Sequence, residues 1–418
     1  MSASGKTDGG ARPHVVVIHR WRDRYAHYET YLDHDEHAVT YVTTEVGTAG
    51  VPGRAAGVAL VDATDDMPAV RDAVSGLSKE HGTPTAVVAL KEDDLLIAAQ
   101  LRTELGLPGT APHELVPFRD KLEMCERVEA AGLAIPAFAP VSGPPDVEAF
   151  AARHGWPVVL KPTQGSSSAG VRVLDDAAEL AGVDWHEGAP LMVQVRESDP
   201  IYHVDGLFRE GRLEAWRASR YVNTCLGFRD GTYLGSVEED DPAVLAAIGA
   251  ASEGFLGALT DTSTVFHLEV FVGRGADGAI RCSFLEVGAR VGGAEIPFIW
   301  RDVHDYDLMG PAFALQLGEQ PAEGRLRARE VGGWLLIPAP TERPCRIVEV
   351  TSMTGRDPGP YAESLLAPGE ILPAADAYYE HVGGRFRFTG ATSAAVERAV
   401  RDTARDFRVA AESCGTPA

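Results

Sequence analysis

From residue 14 the chain alternates short apolar runs with longer amphipathic ones. "HVVVIH" (14–19), "GVALVD" (57–62) and "TAVVAL" (85–90) are nearly unbroken apolar runs, the pattern of strands buried on both faces. Between and after them, "DRYAHYETYL" (23–32), "MPAVRDAVSGLSKEHG" (67–82) and "EDDLLIAAQLRTELGL" (92–107) carry apolar residues at helical spacing. Strand–helix alternation predicts a small parallel sheet with helices on both faces over 14–114. Residues 1–13, polar and glycine-rich, are expected to be a disordered tail.

A second pattern begins at 115. The helical "PFRDKLEMCERVEAAGL" leads to "IPAFAPV", the helix "DVEAFAARHGW" and the strand "PVVLKP". A glycine- and serine-rich loop follows, then "VRVL", the helix "DDAAELAG" and the strand "PLMVQV". This predicts an α+β unit over 115–200. From 201 to 418 the strands read as antiparallel, with a hairpin at "REG" and a long helix "DPAVLAAIGAASEGFLGALT". Two strands follow it, "VFHLEVFV" and "IRCSFLEVGARV".

Composition narrows the partners. Hydrophobic residues at 45% and charged residues at 24% are ordinary for a soluble globular protein. No apolar run approaches the length of about 18 residues expected of a membrane span. Five scattered cysteines without a CxxC pair speak against a zinc site or disulfide framework and suit a reducing cytoplasm. The formal net charge of -23 repels nucleic-acid backbones, so an anionic small ligand needs local positive charge or a metal ion.

Two lysines stand out. Of 38 basic residues only five are lysines, at 6, 79, 91, 121 and 161. Where arginine serves nearly everywhere, a retained lysine marks a place for a compact ammonium. Lys6 lies in the tail, and Lys79 and Lys91 fall on or near exposed helix faces. Lys161 precedes "PTQGSSSAG", a loop whose backbone N–H groups and hydroxyls suit phosphate oxygens; a solvent-exposed linker is the bland alternative. Lys121 sits near the start of a helix, where an exposed surface lysine is the bland alternative. Glu269 and Glu286 interrupt strongly apolar strands, which is costly without a cationic partner. Facing one another on paired strands, they suit Mg²⁺; on a solvated face, each would only bridge an arginine.

The order of helix lysine, strand lysine, Gly/Ser loop, "LMVQV", "HLE" and "LEVGARVGG" resembles the ATP-grasp superfamily over about residues 14–400. The resemblance implies an N-terminal parallel-sheet domain, a mobile lid subdomain and a C-terminal antiparallel-sheet domain. It assigns Lys121 and Lys161 to ATP phosphates and the loop Gln164, Gly165, Ser166, Ser167, Ser168 and Gly170 to the triphosphate. Gln194 and Val195 fall to adenine, Glu269 and Glu286 to one or two Mg²⁺ (or Mn²⁺), and Arg290 to the transferring phosphate and acyl intermediate. Glu197, Asp199 and Asp205 all stand where a ribose contact is expected. The carboxylate–amine ligases that join amino acids are the subgroup it most resembles, although Gly288 replaces the asparagine many relatives use as a further metal ligand. The implied activity is ATP-dependent coupling of an amino-acid carboxylate to an amine through an acyl phosphate, by a homodimer acting on small molecules. An ATP-grasp kinase, a biotin-carboxylase-like or purine-pathway ligase, and a non-catalytic nucleotide sensor are the alternatives. Specificity is expected in 292–308. There Gly292 and Gly293 begin the segment, Arg301 suits a second carboxylate, and Trp300 is either a pocket wall or core. His267 and His304 are expected to be structural, His267 in support of the Glu269 strand.

Overall fold

The computed structural model describes residues 12–21, 25–165, 168–185, 190–322, 324, 326–327, 330–374 and 382–414. The chain forms two compact units, Met1–Val116 with Met309–Ala322, and Pro117–Leu308 with Glu323–Ala418.

The first unit is built on β1 (His14–His19), β2 (Ala38–Thr43), β3 (Gly57–Leu60) and β4 (Pro84–Ala89), all parallel in the order β3-β2-β1-β4. The helices Met67–His81 and Leu95–Leu105 match their amphipathic stretches. Asp66 caps the first through the Ala69 N–H, and Gly106 ends the second at a φ of 66°. Two expectations fail between 23 and 43. Among the described residues "DRYAHYETYL" is helical only over Tyr28–Tyr31, and "AVTYVT" is a strand that the periodicity did not flag. The aromatic residues there serve packing rather than helical phase: Tyr28 lies 5.5 Å from Tyr41 and 6.2 Å from Phe313, ring to ring. Phe313 belongs to the helix Met309–Gln316, which completes this unit. Gln316 Oε1 accepts from Ala89 N at 2.9 Å and from Arg102 Nη1 at 3.2 Å.

In the second unit β5 (Phe138–Val141), β6 (Val158–Pro162), β7 (Arg172–Leu174) and β8 (Leu191–Val195) form an antiparallel sheet ordered β5-β8-β6-β7. Its core joins Val158, Leu160 and Val193 to Phe150 of the helix Pro144–His154. The chain then runs through β9 (Ile201–Arg209), β10 (Arg212–Tyr221), β11 (Leu234–Glu238), β12 (Thr264–Arg274), β13 (Ile280–Gly288) and β14 (Val331–Pro338). It ends with β15 (Cys345–Val350), β16 (Ala362–Leu365), β17 (Ile371–Leu372), β18 (Val382–Gly390) and β19 (Val409–Ser413). The large sheet has the order β13-β12-β9-β10-β11-β14-β18-β16, and β17-β15-β19 form a small separate sheet. The "REG" hairpin turns through Glu210 and Gly211 at φ of 52° and 79°, the two-residue geometry whose twist matches the strands it joins.

One face of the large sheet is core. Tyr202, Val204, Leu268, Val270, Phe284 and Val287 pack on Ile248, Phe255 and Leu256 of the helix Pro242–Leu259. That helix is 18 residues long with a mean hydropathy of 1.5, enough to cross a membrane by length and composition, contrary to the expectation above. Its inner face is built into this core.

Candidate active site

Strand register decides where the polar residues go. β9, β12 and β13 run side by side and antiparallel, and the pairing aligns His203 with Glu269 and Glu269 with Glu286. The next rung aligns Asp205 with His267 and His267 with Gly288. Cross-strand partners point to the same face. The alternation in "YHVDG" and "FHLEV" therefore puts aliphatic and aromatic residues in the core and every polar one on the opposite face. Glu269 and Glu286 stand next to each other there.

The two lysines arrive from elsewhere in the same unit. Asp120 caps the helix Lys121–Ala130 through Leu122 N and Glu123 N, so Lys121 is its first residue. Lys121 Nζ donates to Gly165 O at 2.8 Å and lies 3.6 Å from Glu286 Oε2. Lys161 on β6 is 4% exposed, and its Nζ donates to Gln194 Oε1 at 2.9 Å. Burial lowers the Lys161 pKa, with Glu286 the largest opposing influence. Gly165 and Gly170 adopt φ of 136° and 71°, where a side chain is strained, and Ser168 between them sits at 55°. Lys121, Lys161, Gln164, Gly165, Gln194, Val195, Glu197, Glu269 and Glu286 all line one cavity of about 530 Å³.

A hydrogen-bonded chain supports the carboxylates. Tyr221 OH donates to Glu269 Oε1 at 2.7 Å, and His267 Nε2 is 3.7 Å from the same oxygen. Burial pushes the Glu269 pKa up, but the His267 contact and charge and the Tyr221 hydroxyl outweigh it and hold the group below its usual range. His267 Nδ1 donates to Asp205 Oδ1 at 2.8 Å, and His203 Nδ1 to Asp205 Oδ2 at 2.6 Å. Burial lowers the His267 pKa, yet Asp205 raises it on balance to about 9. Cys225 also lines the cavity; burial, then Glu269, pushes its thiol pKa up, so it stands protonated. His203, Asp205, Tyr221 and Cys225 were not marked as part of a site by sequence reasoning, apart from Asp205 as a ribose candidate. The alternation His203-Val-Asp205, mirrored by His267-Leu-Glu269, was the available signal.

Other expected residues land differently. Asp205 is 1% exposed and engaged by two histidines, which removes it as a ribose contact; Glu197 and Asp199 remain in the cavity wall. The Val195 N–H donates to Ala137 O and is not available to a base. Ser166 and Ser167 lie outside the described residues. Gly292 is not in the cavity wall but against the network: a Cβ there would meet Asp205 Oδ1 at 2.3 Å and His267 Nδ1 at 2.8 Å. Gly293 is exposed. Trp300 is core, 2% exposed, beside His304 and Tyr306 rather than in the cavity. Arg301 Nε donates to Pro297 O at 3.1 Å and lies 3.8 Å from Asp307. Arg290 Nη1 donates to Val291 O at 3.2 Å.

No family model matches the chain. Three curated relatives are similar over parts of it. An uncharacterised protein of Sinorhizobium fredii is 27% identical over 63% of this chain and 55% of its own length. An L-arginine-specific L-amino acid ligase of Bacillus subtilis is 24% identical over 57% and 59%. N5-carboxyaminoimidazole ribonucleotide synthase of Mycobacterium tuberculosis is 40% identical over 90 residues, 21% of each chain. The chain thus spans less than two thirds of the curated relatives it matches. Solved structures match nearly end to end. The L-amino acid ligase of Bacillus licheniformis superposes with a TM-score of 0.72 at 17% identity, over 96% of this chain and 99% of that one. N5-carboxyaminoimidazole ribonucleotide synthetase of Thermotoga maritima gives 0.65 at 13%, over 96% and 100%. Biotin carboxylase of Campylobacter jejuni gives 0.65 at 12%, over 95% and 92%. The chain has the ATP-grasp fold that these enzymes share.

Proposed function

We propose that the protein is an ATP-dependent ligase that couples an amino-acid carboxylate to an amine through an acyl phosphate, releasing ADP and phosphate. The observation that carries this is the in-register pair Glu269 and Glu286 in the wall of a cavity that also holds Lys121, Lys161 and the glycine-rich loop. The similarity to two L-amino acid ligases supports the amine-coupling type.

Two adjacent carboxylates, backed by a tyrosine hydroxyl and a lysine, are hard oxygen donors and suit Mg²⁺ or Mn²⁺ shared with nucleotide phosphates. Bound by Glu269 and Glu286, one or two such ions would neutralise phosphate charge. The protein's own groups do the rest. Lys121 and Lys161 hold phosphate oxygens, and loop N–H groups from Gln164 to Gly170 add donors. Arg290, two residues beyond the end of β13, stabilises the oxyanion formed when the amine attacks. The loop excludes water, which would otherwise hydrolyse the acyl phosphate. Arg196–Asp199, beyond the sheet-bonded Val195, holds the base and ribose. Under this proposal the protein works in the cytoplasm as a homodimer on small molecules.

The test is a phosphate-release screen of paired amino acids with ATP and Mg²⁺. Phosphate release that needs both an acid and an amine supports the proposal; ADP formed without free phosphate, with one hydroxyl acceptor alone, makes the protein a kinase. The 90-residue likeness to a ribonucleotide synthase favours one second reading, a ligase of another small acid, which bicarbonate in place of the amino acid would reveal.

A further inference from the structure

The buried polar chain behind Glu269 is longer than the site needs for charge balance. Ser236 Oγ lies 2.6 Å from His203 Nε2, and the chain continues through Asp205 and His267 to within 3.7 Å of Glu269 Oε1. Ser236, His203 and Asp205 are each 1% exposed. Asp205 accepts from both rings, so each ring has a proton on Nδ1 and turns Nε2 outward, His203 to Ser236 and His267 to Glu269. Hydrogen-bond order alone would suggest a nucleophile–base–acid triad at Ser236. The cavity beside Ser236 and His203 is about 10 Å³, no more than one water, so no substrate reaches it. Stability does not explain the chain either, because apolar residues of similar volume usually fill such a place at least as well as a buried ion pair.

What the chain does have is a direction. It ends at Glu269, and its middle is closed over by the backbone at Gly292, where even a methyl group would strike Asp205. We propose that Ser236, His203 and Asp205 are positioning residues: they hold the His267 ring, which fixes the Glu269 carboxylate for a divalent cation. The inference rests on the proposed role of Glu269 and Glu286 as cation ligands.

Mn²⁺ binding to the full chain, followed by electron paramagnetic resonance with a non-hydrolysable ATP analogue, tests it without turnover. His203→Leu fills the volume and breaks both bonds; it should weaken Mn²⁺ binding by about 10–100-fold, the range seen when an outer support of a metal ligand is lost. His203→Asn, which restores a donor toward Asp205, should recover most of that loss. Binding of the analogue in EDTA should not change. A stability loss in His203→Leu with unchanged Mn²⁺ affinity overturns the inference. If that variant fails to fold, Ser236→Ala decides: a shift of about threefold or more supports it and no shift overturns it. Glu269→Gln runs alongside. If Glu269→Gln leaves Mn²⁺ binding intact, the cation site itself is wrong; if only the His203 variants leave it intact, the support alone is wrong.

Discussion

Replacing Lys161 with methionine should move stability and activity in opposite directions. The ammonium is 4% exposed, holds one hydrogen bond to Gln194 at 2.9 Å, and is pushed toward its neutral form by burial. Methionine has similar length, fills the same space and needs no solvation. Its cost is the unpaired Gln194 oxygen, about 1–3 kcal/mol. Its gain is relief from burying a charge, of the order of several kcal/mol. The fold should therefore be unchanged or firmer by up to about 2 kcal/mol. Under the proposed function, catalysis loses a preorganised charge at the transferring phosphate, typically 10²–10³ in rate, or about 3–4 kcal/mol. Urea midpoints give the first quantity and coupled ADP release the second. Activity within about tenfold of the parent would show that Lys161 does not serve the transition state. A loss of more than about 2 kcal/mol of stability would make it a structural lysine.

Three further outcomes are expected. Glu286→Gln keeps the side chain's shape but removes its charge, so ADP release should fall to background while circular dichroism stays unchanged; near-normal release refutes the cation assignment. Gly292→Ala forces a methyl group to within 2.3 Å of Asp205 Oδ1 and should cost about 1–3 kcal/mol by overpacking, read as a lower urea midpoint; an unshifted midpoint refutes the close approach. His19 in the first unit is held by burial at about 4, so the unfolded chain binds its proton first as pH falls. Its contribution, about 3 kcal/mol, is complete above pH 6.5 and is lost toward pH 4. The stability difference between the parent and His19→Phe should therefore narrow or reverse across that window, and a pH-independent difference would contradict it.

Periodicity was informative where one face of an element is buried and misleading where aromatic packing dominates. The helices Met67–His81, Lys121–Ala130 and Pro242–Leu259 fall where their spacing puts them. β2 was missed because the tyrosines before "AVTYVT" mimic a helix. Lys121, Lys161, Glu269 and Glu286 were legible because lysine is scarce and a glutamate among aliphatics is costly. Their convergence on one cavity depends on register and on the Asp120 cap, which single positions do not encode. His203 escaped notice, and Asp205 was read only as a ribose candidate, for the same reason: a histidine two residues from an aspartate is unremarkable until a neighbouring strand supplies His267 opposite it.

The helix Met309–Gln316 has a consequence for biosynthesis. Ala89 and Arg102 wait 227 and 214 residues for the side chain of Gln316. At about 5–20 residues per second, translation leaves the nascent first unit without that partner for roughly 10–45 s. Until then the Arg102 guanidinium has no glutamine oxygen to meet, and β4 has nothing to receive its terminal amide. A ribosome-bound fragment ending before residue 309 should accordingly be the species that chaperones hold.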